Sequence, residues 1–174
     1  MKTTNPIEPK PELNYTQGAL FAIGGPIVGI AAWILLWKAG FIASIATYAM
    51  AWLTLWLYRK GAGGMDRKAL KVVVAYIVLG LVLSILSGMV YDVLEYLLTT
   101  DKAAHAAGAW TVITSSSFWS ILSDNMLHNA DFWKGYTTDI LIALALGGLG
   151  VYGTVKELLF AHPKKPALAN SRKA

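Results

Sequence analysis

The side chains most able to do chemistry in this chain are a few carboxylates and one histidine. Asp92 and Glu95 are three residues apart, which puts both on one face of a helix. Asp139 opens the last apolar stretch. If packing brought these acids together, one would hold its proton to higher pH than an isolated carboxyl. Such a cluster would suit a membrane enzyme with an acidic site at its outer face. The plainer reading is three hydrated acids marking the outer boundary of the membrane. Asp124 and His128 are one helical turn apart, and Asp131 follows. Carboxylate and imidazole are both metal ligands, but three loosely spaced groups fall short of a metal motif. No metal and no cofactor is expected. His105 among alanines and His162 in a basic tail read as solvated.

The motifs of common enzyme chemistries are missing. There is no HExxH, GxSxG, P-loop or GxGxxG pattern. There are no cysteines, which excludes disulfides, thiolate metal sites, cysteine nucleophiles and S-palmitoylation. No polar stretch interleaves aromatic with basic residues, so a nucleic-acid partner is not expected.

Composition says what must position these groups. The 174 residues are 56% apolar and 14% charged, against roughly 45–50% and about 25% in a soluble domain. Four uncharged apolar runs stand out, at residues 18–37, 41–58, 72–91 and 140–155. A helix crossing a hydrocarbon core needs about 20 such residues. The fourth run reaches that length if Lys156 snorkels and Leu158, Leu159 and Phe160 join it. Backbone groups in lipid must be satisfied within the segment, and continuous runs point to helices rather than a barrel. The first run exceeds the roughly 7–15 residues of a signal core and is read as a retained helix.

The expected fold is therefore all-α: a polytopic membrane protein with four transmembrane helices and a short interfacial helix in its outer loop. Helices are expected at about 18–37, 41–58, 70–97 and 132–160, within a membrane domain of residues 16–162. Residues 1–15 read as a disordered cytoplasmic tail, 98–131 as the outer loop and 163–174 as a basic cytoplasmic tail. Lys38-Ala39-Gly40 reads as a tight hairpin, Gly61, Gly63 and Gly64 as a helix stop, and Asp66 and Asp131 as N-caps. Ser115-Ser116-Ser117 opens the interfacial helix, with Phe118, Trp119, Ile121, Leu122 and Met126 mostly on one face.

Orientation follows from Lys and Arg. With the N-terminus inside, Lys2, Lys10, Arg59, Lys60, Arg67, Lys68, Lys71, Lys156, Lys164, Lys165, Arg172 and Lys173 are cytoplasmic. Only Lys38, Lys102 and Lys134 stay outside. Twelve against three places both termini in the cytoplasm. The Asn14-Tyr15-Thr16 sequon then lies on the side where it has no use.

Small residues form stripes on the helices. Gly25 and Gly29 mark the first, Gly80, Ser84 and Gly88 the third, and Ala143, Gly147 and Gly150 the fourth. In lipid, close packing is the main force between helices, so these are expected packing surfaces, facing the same chain or another copy. The leading functional expectation is a non-enzymatic integral membrane protein, a homo-oligomer or a small subunit of a membrane complex. Its partners would be the bilayer and either itself or another membrane protein. The alternative is an oligomeric transporter or channel for a small solute or ion, motivated by the Gly24-Gly25-Pro26 break and the glycines of the last helix.

Residues 40–59, the glycine-rich turn before Met65-Asp66-Arg67-Lys68, and Phe132-Trp133-Lys134-Gly135-Tyr136 followed by Asp139-Ile140-Leu141-Ile142 resemble small, uncharacterised bacterial four-helix membrane proteins. The resemblance covers most of residues 18–160. It implies a bacterial plasma membrane location and the helix count, and no activity.

Overall fold

The computed structural model describes residues 12–39 and 42–160. Every regular element among them is an α-helix. They are α1 (Tyr15–Ala22), α2 (Gly24–Lys38), α3 (Ile45–Ala62), α4 (Arg67–Thr100), α5 (Lys102–Ala107), α6 (Ala109–Thr114), α7 (Ser116–His128) and α8 (Ala130–Phe160). Three stretches are long and apolar enough to cross a membrane: Tyr15–Lys38, Arg67–Thr100 and Ala130–Leu158. The helix at the second expected span, α3, falls short of that standard. It has 18 residues and carries Arg59 and Lys60 in its last turn.

Yet α3 is the centre of the molecule. It packs against α1, α2, α4 and α8. Its buried residues include Thr47, Met50, Ala51, Thr54, Leu55 and Tyr58. Its open face carries Ile45, Tyr48, Trp52 and Trp56. The two threonines that lower its apolarity are thus hidden among helices.

Several boundaries differ from the expected ones, for local reasons. The second helix runs Ile45–Ala62 rather than 41–58, because it ends only where Gly63 adopts φ +77°, a left-handed cap. The tight hairpin after Lys38 includes residue 40, outside the described residues, and Ala43 and Ser44 turn the chain before α3. Asp66 does cap α4, accepting from the Ala69 N–H at 2.7 Å. Asp131 is not a cap. Asn129 takes that role, accepting from the N–H groups of Asp131 and Phe132 at 3.1 and 3.2 Å. The expected tail of residues 1–15 is ordered at its end: the Asn14 N–H donates to the Ala62 carbonyl, and its side chain caps α1. Residues 1–11 and the tail 163–174 lie outside the described residues.

The first expected span divides at Ile23. Pro26 has no N–H to give the Ala22 carbonyl, and α1 ends at Ala22. The division opens no path. A Cβ on Gly25 would stand 2.8 Å from the Thr54 backbone, so α2 and α3 touch there. The Thr54 hydroxyl itself donates to the Met50 carbonyl at 2.7 Å.

The connection expected to hold one helix holds three. Asp101 caps α5, Gly108 at φ +83° separates α5 from α6, and Ser115 caps α7. Together they cover one end of the bundle. Met89, Val93, Val112, Phe118, Leu122 and Tyr136 form a second, smaller core beneath them. The main core runs along α1–α4 and α8 around Trp33, Met50, Tyr58 and Val73.

Candidate functional site

The covered end of the bundle is where chemistry-bearing side chains meet. Twenty uncharged residues, 72–91, separate Lys71 from Asp92 on α4. At 1.5 Å per residue they span about 30 Å, the thickness of a hydrocarbon core. Asp92 therefore stands one membrane thickness from the basic end. Its carboxylate is held from two other helices. Trp37 on α2 donates its indole N–H to Oδ1 at 2.7 Å, and Tyr136 on α8 donates its hydroxyl to Oδ2 at 2.5 Å.

The rings form a column. Trp33 stacks near Trp37 with centroids 6.4 Å apart, and Trp37 stacks on Tyr136 at 5.5 Å and 8°. Phe132 tilts against Tyr136 at 5.2 Å. Beside the column is an open cleft of about 570 Å³. Trp37, Asp92, Phe132, Gly135 and Tyr136 line one part of it, and Tyr96, Ile121 and Asn125 another. That volume is in the range of small-molecule sites, roughly 300–1,000 Å³.

Of the three expected acids, Asp92 alone is drawn into this arrangement. Glu95 is exposed and lies beside Tyr91 on its own helix. Asp139 is half-buried on α8, one turn beyond Tyr136. Sequence reasoning grouped carboxylates with carboxylates and missed Trp37 and Tyr136. Nothing in their spacing set these two apart from the neighbouring aromatics Trp33, Phe132 and Trp133.

The metal candidates divide. His128 and Asp124 meet at 2.9 Å on the exposed face of α7. Asp131 turns instead to Lys134, at 2.6 Å. Among the described residues, no three metal-ligating side chains assemble.

The small-residue stripes face inward. A Cβ on Gly29 would come within 2.6 Å of Met50, and on Gly80 within 2.7 Å of the same side chain. Gly150 meets Ala51 at 2.7 Å, Gly147 meets Thr47 at 3.1 Å, and Gly88 meets the Trp33 indole at 3.4 Å. Ser84 and Ala143 are buried. Every one of these contacts is within the chain. The polar atoms Trp33 Nε1, Ser44 Oγ, Thr47 Oγ1, Tyr58 OH and Ser84 Oγ are buried with no protein partner among the described residues.

The opposite end is held by charge. Arg59 donates to both Thr154 and Glu157 at 3.0 Å, joining α3 to α8. Tyr15 donates to Asp66 at 2.7 Å. The Ala69 N–H, then the Tyr15 hydroxyl, hold the Asp66 carboxyl below the usual aspartate range.

Comparison with family models, curated proteins and solved structures finds no match to this chain.

Proposed function

We propose that the chain is a non-enzymatic, four-span protein of the bacterial plasma membrane, working as an assembly of its own copies or as a small subunit of a membrane complex. The observation behind this reading is the uncovered face of α8. Only 11% of its apolar window is buried within the chain, against 33% for α4. Leu141, Leu144, Leu149 and Tyr152 are exposed there. Gly148 and Gly153 have open space where a Cβ would stand, so no contact within the chain requires them to be glycine. Glycines on a lipid-facing surface let a second helix approach closely.

Four spans are supported by the position of α3. A helix wrapped by its neighbours need not be apolar on every side. Its C-terminal end also matches those of its neighbours: Asn14 reaches Ala62, and Arg59 reaches Glu157. Arg59, Lys60, Arg67, Lys68, Lys71 and Lys156 then collect at one end, as the cytoplasmic side requires.

The test is cysteine crosslinking at Gly148 in native membranes, followed by mass measurement. A covalent dimer, or an adduct of defined larger mass, is the expected product. A chain that stays monomeric and partner-free although its Gly148→Cys thiol is fully reactive overturns the proposal.

Transport by an oligomer is the second reading, and the cleft at Asp92 favours it. Of its sequence motives, Gly25 at the break and Gly147 and Gly150 on the last helix are occupied in packing against α3, while Gly148 and Gly153 are open.

A further inference from the structure

Among the described residues, the Asp92 carboxylate has two hydrogen-bond donors and no ion-pair partner. Both donors, an indole and a phenol, are neutral. The ion pairs present among the described residues are Arg59–Glu157, His128–Asp124 and Lys134–Asp131, none of which involves it. With neutral donors alone beside it, the carboxylate keeps its negative charge for a cation that enters the cleft. Each of its oxygens has a second lone-pair direction beyond the bond it already accepts. Aromatic rings and aliphatic carbon surround it on a cleft of about 570 Å³.

Aromatic faces attract ammonium groups through their quadrupole, and a carboxylate completes the recognition of a positive charge. Asp92 is the one carboxylate among aromatic and aliphatic side chains here, a lining that suits an organic cation better than a calcium ion with its roughly 6–8 oxygen ligands. We propose that the cleft binds a small organic cation with an apolar body, its ammonium head against Asp92 and its body along Phe132 and Ile121. The site lies within one chain and stands whether or not copies assemble. The same head group could belong to a free solute or to an ethanolamine lipid.

The protein is tested in nanodiscs of phosphatidylglycerol with benzyltrimethylammonium as the probe, read by tryptophan fluorescence. Saturable binding is expected, with neopentylbenzene, the uncharged carbon isostere, competing about tenfold less well or worse. Asp92→Asn should weaken binding by a similar factor. Gly135→Leu fills the cleft at a position where a Cβ meets nothing within 4 Å. It should abolish binding while thermal stability holds, which keeps the test decisive if Asp92→Asn does not fold. Adding phosphatidylethanolamine separates the sources: competition identifies a lipid head group, and none identifies a free solute. The proposal is overturned if the folded wild type shows no saturable binding, if the isostere competes equally, or if Gly135→Leu binds like wild type.

Discussion

The Trp37 indole and the Asp92 carboxylate, 55 residues apart in sequence, are joined by a hydrogen bond of 2.7 Å. Tyr136 completes the junction from α8, so one carboxylate ties three helices together. Tyr136→Phe keeps the ring and removes the donor, and Trp37→Phe removes the donor while leaving a smaller aromatic ring. Each should cost about 1.5–3 kcal/mol, the range for hydrogen bonds to a charged group. The two losses should be non-additive, because both donors serve one acceptor. Thermal unfolding of the singles and the double in detergent measures this.

Glycines that touch α3 and glycines that touch nothing should respond differently to one added methyl. Gly25→Ala drives a carbon against Thr54, and Gly150→Ala drives one against Ala51. Each should lose about 1–3 kcal/mol by overpacking. Gly148→Ala meets open space within its own chain, so the separated single chain in detergent should keep or gain stability, by up to about 1 kcal/mol from helix propensity. Equal losses at all three positions would contradict the packing described.

Acid should loosen the end of the bundle that holds Asp66. Its folded pKa is depressed, so its contribution is complete above the ordinary aspartate value of about 3.9. That contribution is lost as pH falls through the lower folded value. Wild type should lose stability in this window more steeply than Asp66→Asn, which has nothing to protonate. Tyr15→Phe should reduce the difference, since it removes one of the bonds holding the charge. Melting temperatures against pH, measured below pH 5, report the slope.

The buried hydroxyl of Ser84 has no protein partner. Ser84→Ala removes a desolvated group without breaking a bond within the protein. Its stability should stay within about 0.5 kcal/mol of wild type or rise, unlike a typical core change.

The proposed membrane sidedness rests on the charge at the two ends and can be tested by labelling. With no native cysteine, Gly63→Cys and Ala106→Cys each carry a single thiol. An impermeant thiol reagent on intact cells should label Ala106→Cys and spare Gly63→Cys until lysis. The reverse pattern would invert the proposed topology.

What the sequence made legible is what depends on neighbours in the chain. The Asp66 cap and the Gly63 stop each follow from a few adjacent residues, and both are found. Asn129 outcompeted Asp131 as a cap because its side chain reaches two N–H groups of the first turn. The glycine stripes were readable as surfaces, but not which surface each would meet, since the partners Met50, Thr54 and Ala51 all lie on α3. Asp92 was readable as a charge at the end of an apolar run. Its donors were not, because Trp37 and Tyr136 look like any aromatic residue at a membrane boundary.

The central place of α3 bears on how the chain is made. A ribosome delivers α3 after α1 and α2, whose Gly25 meets Thr54, but before α4 and α8 exist to cover Thr47. In the four-span topology proposed above, the helix must then leave the translocation channel on marginal apolarity alone, or wait beside it. Its stable insertion then belongs to the finished protein rather than to the segment. Chains cut short before α8 should leave α3 poorly retained in lipid and open to membrane proteases, although α3 itself is intact.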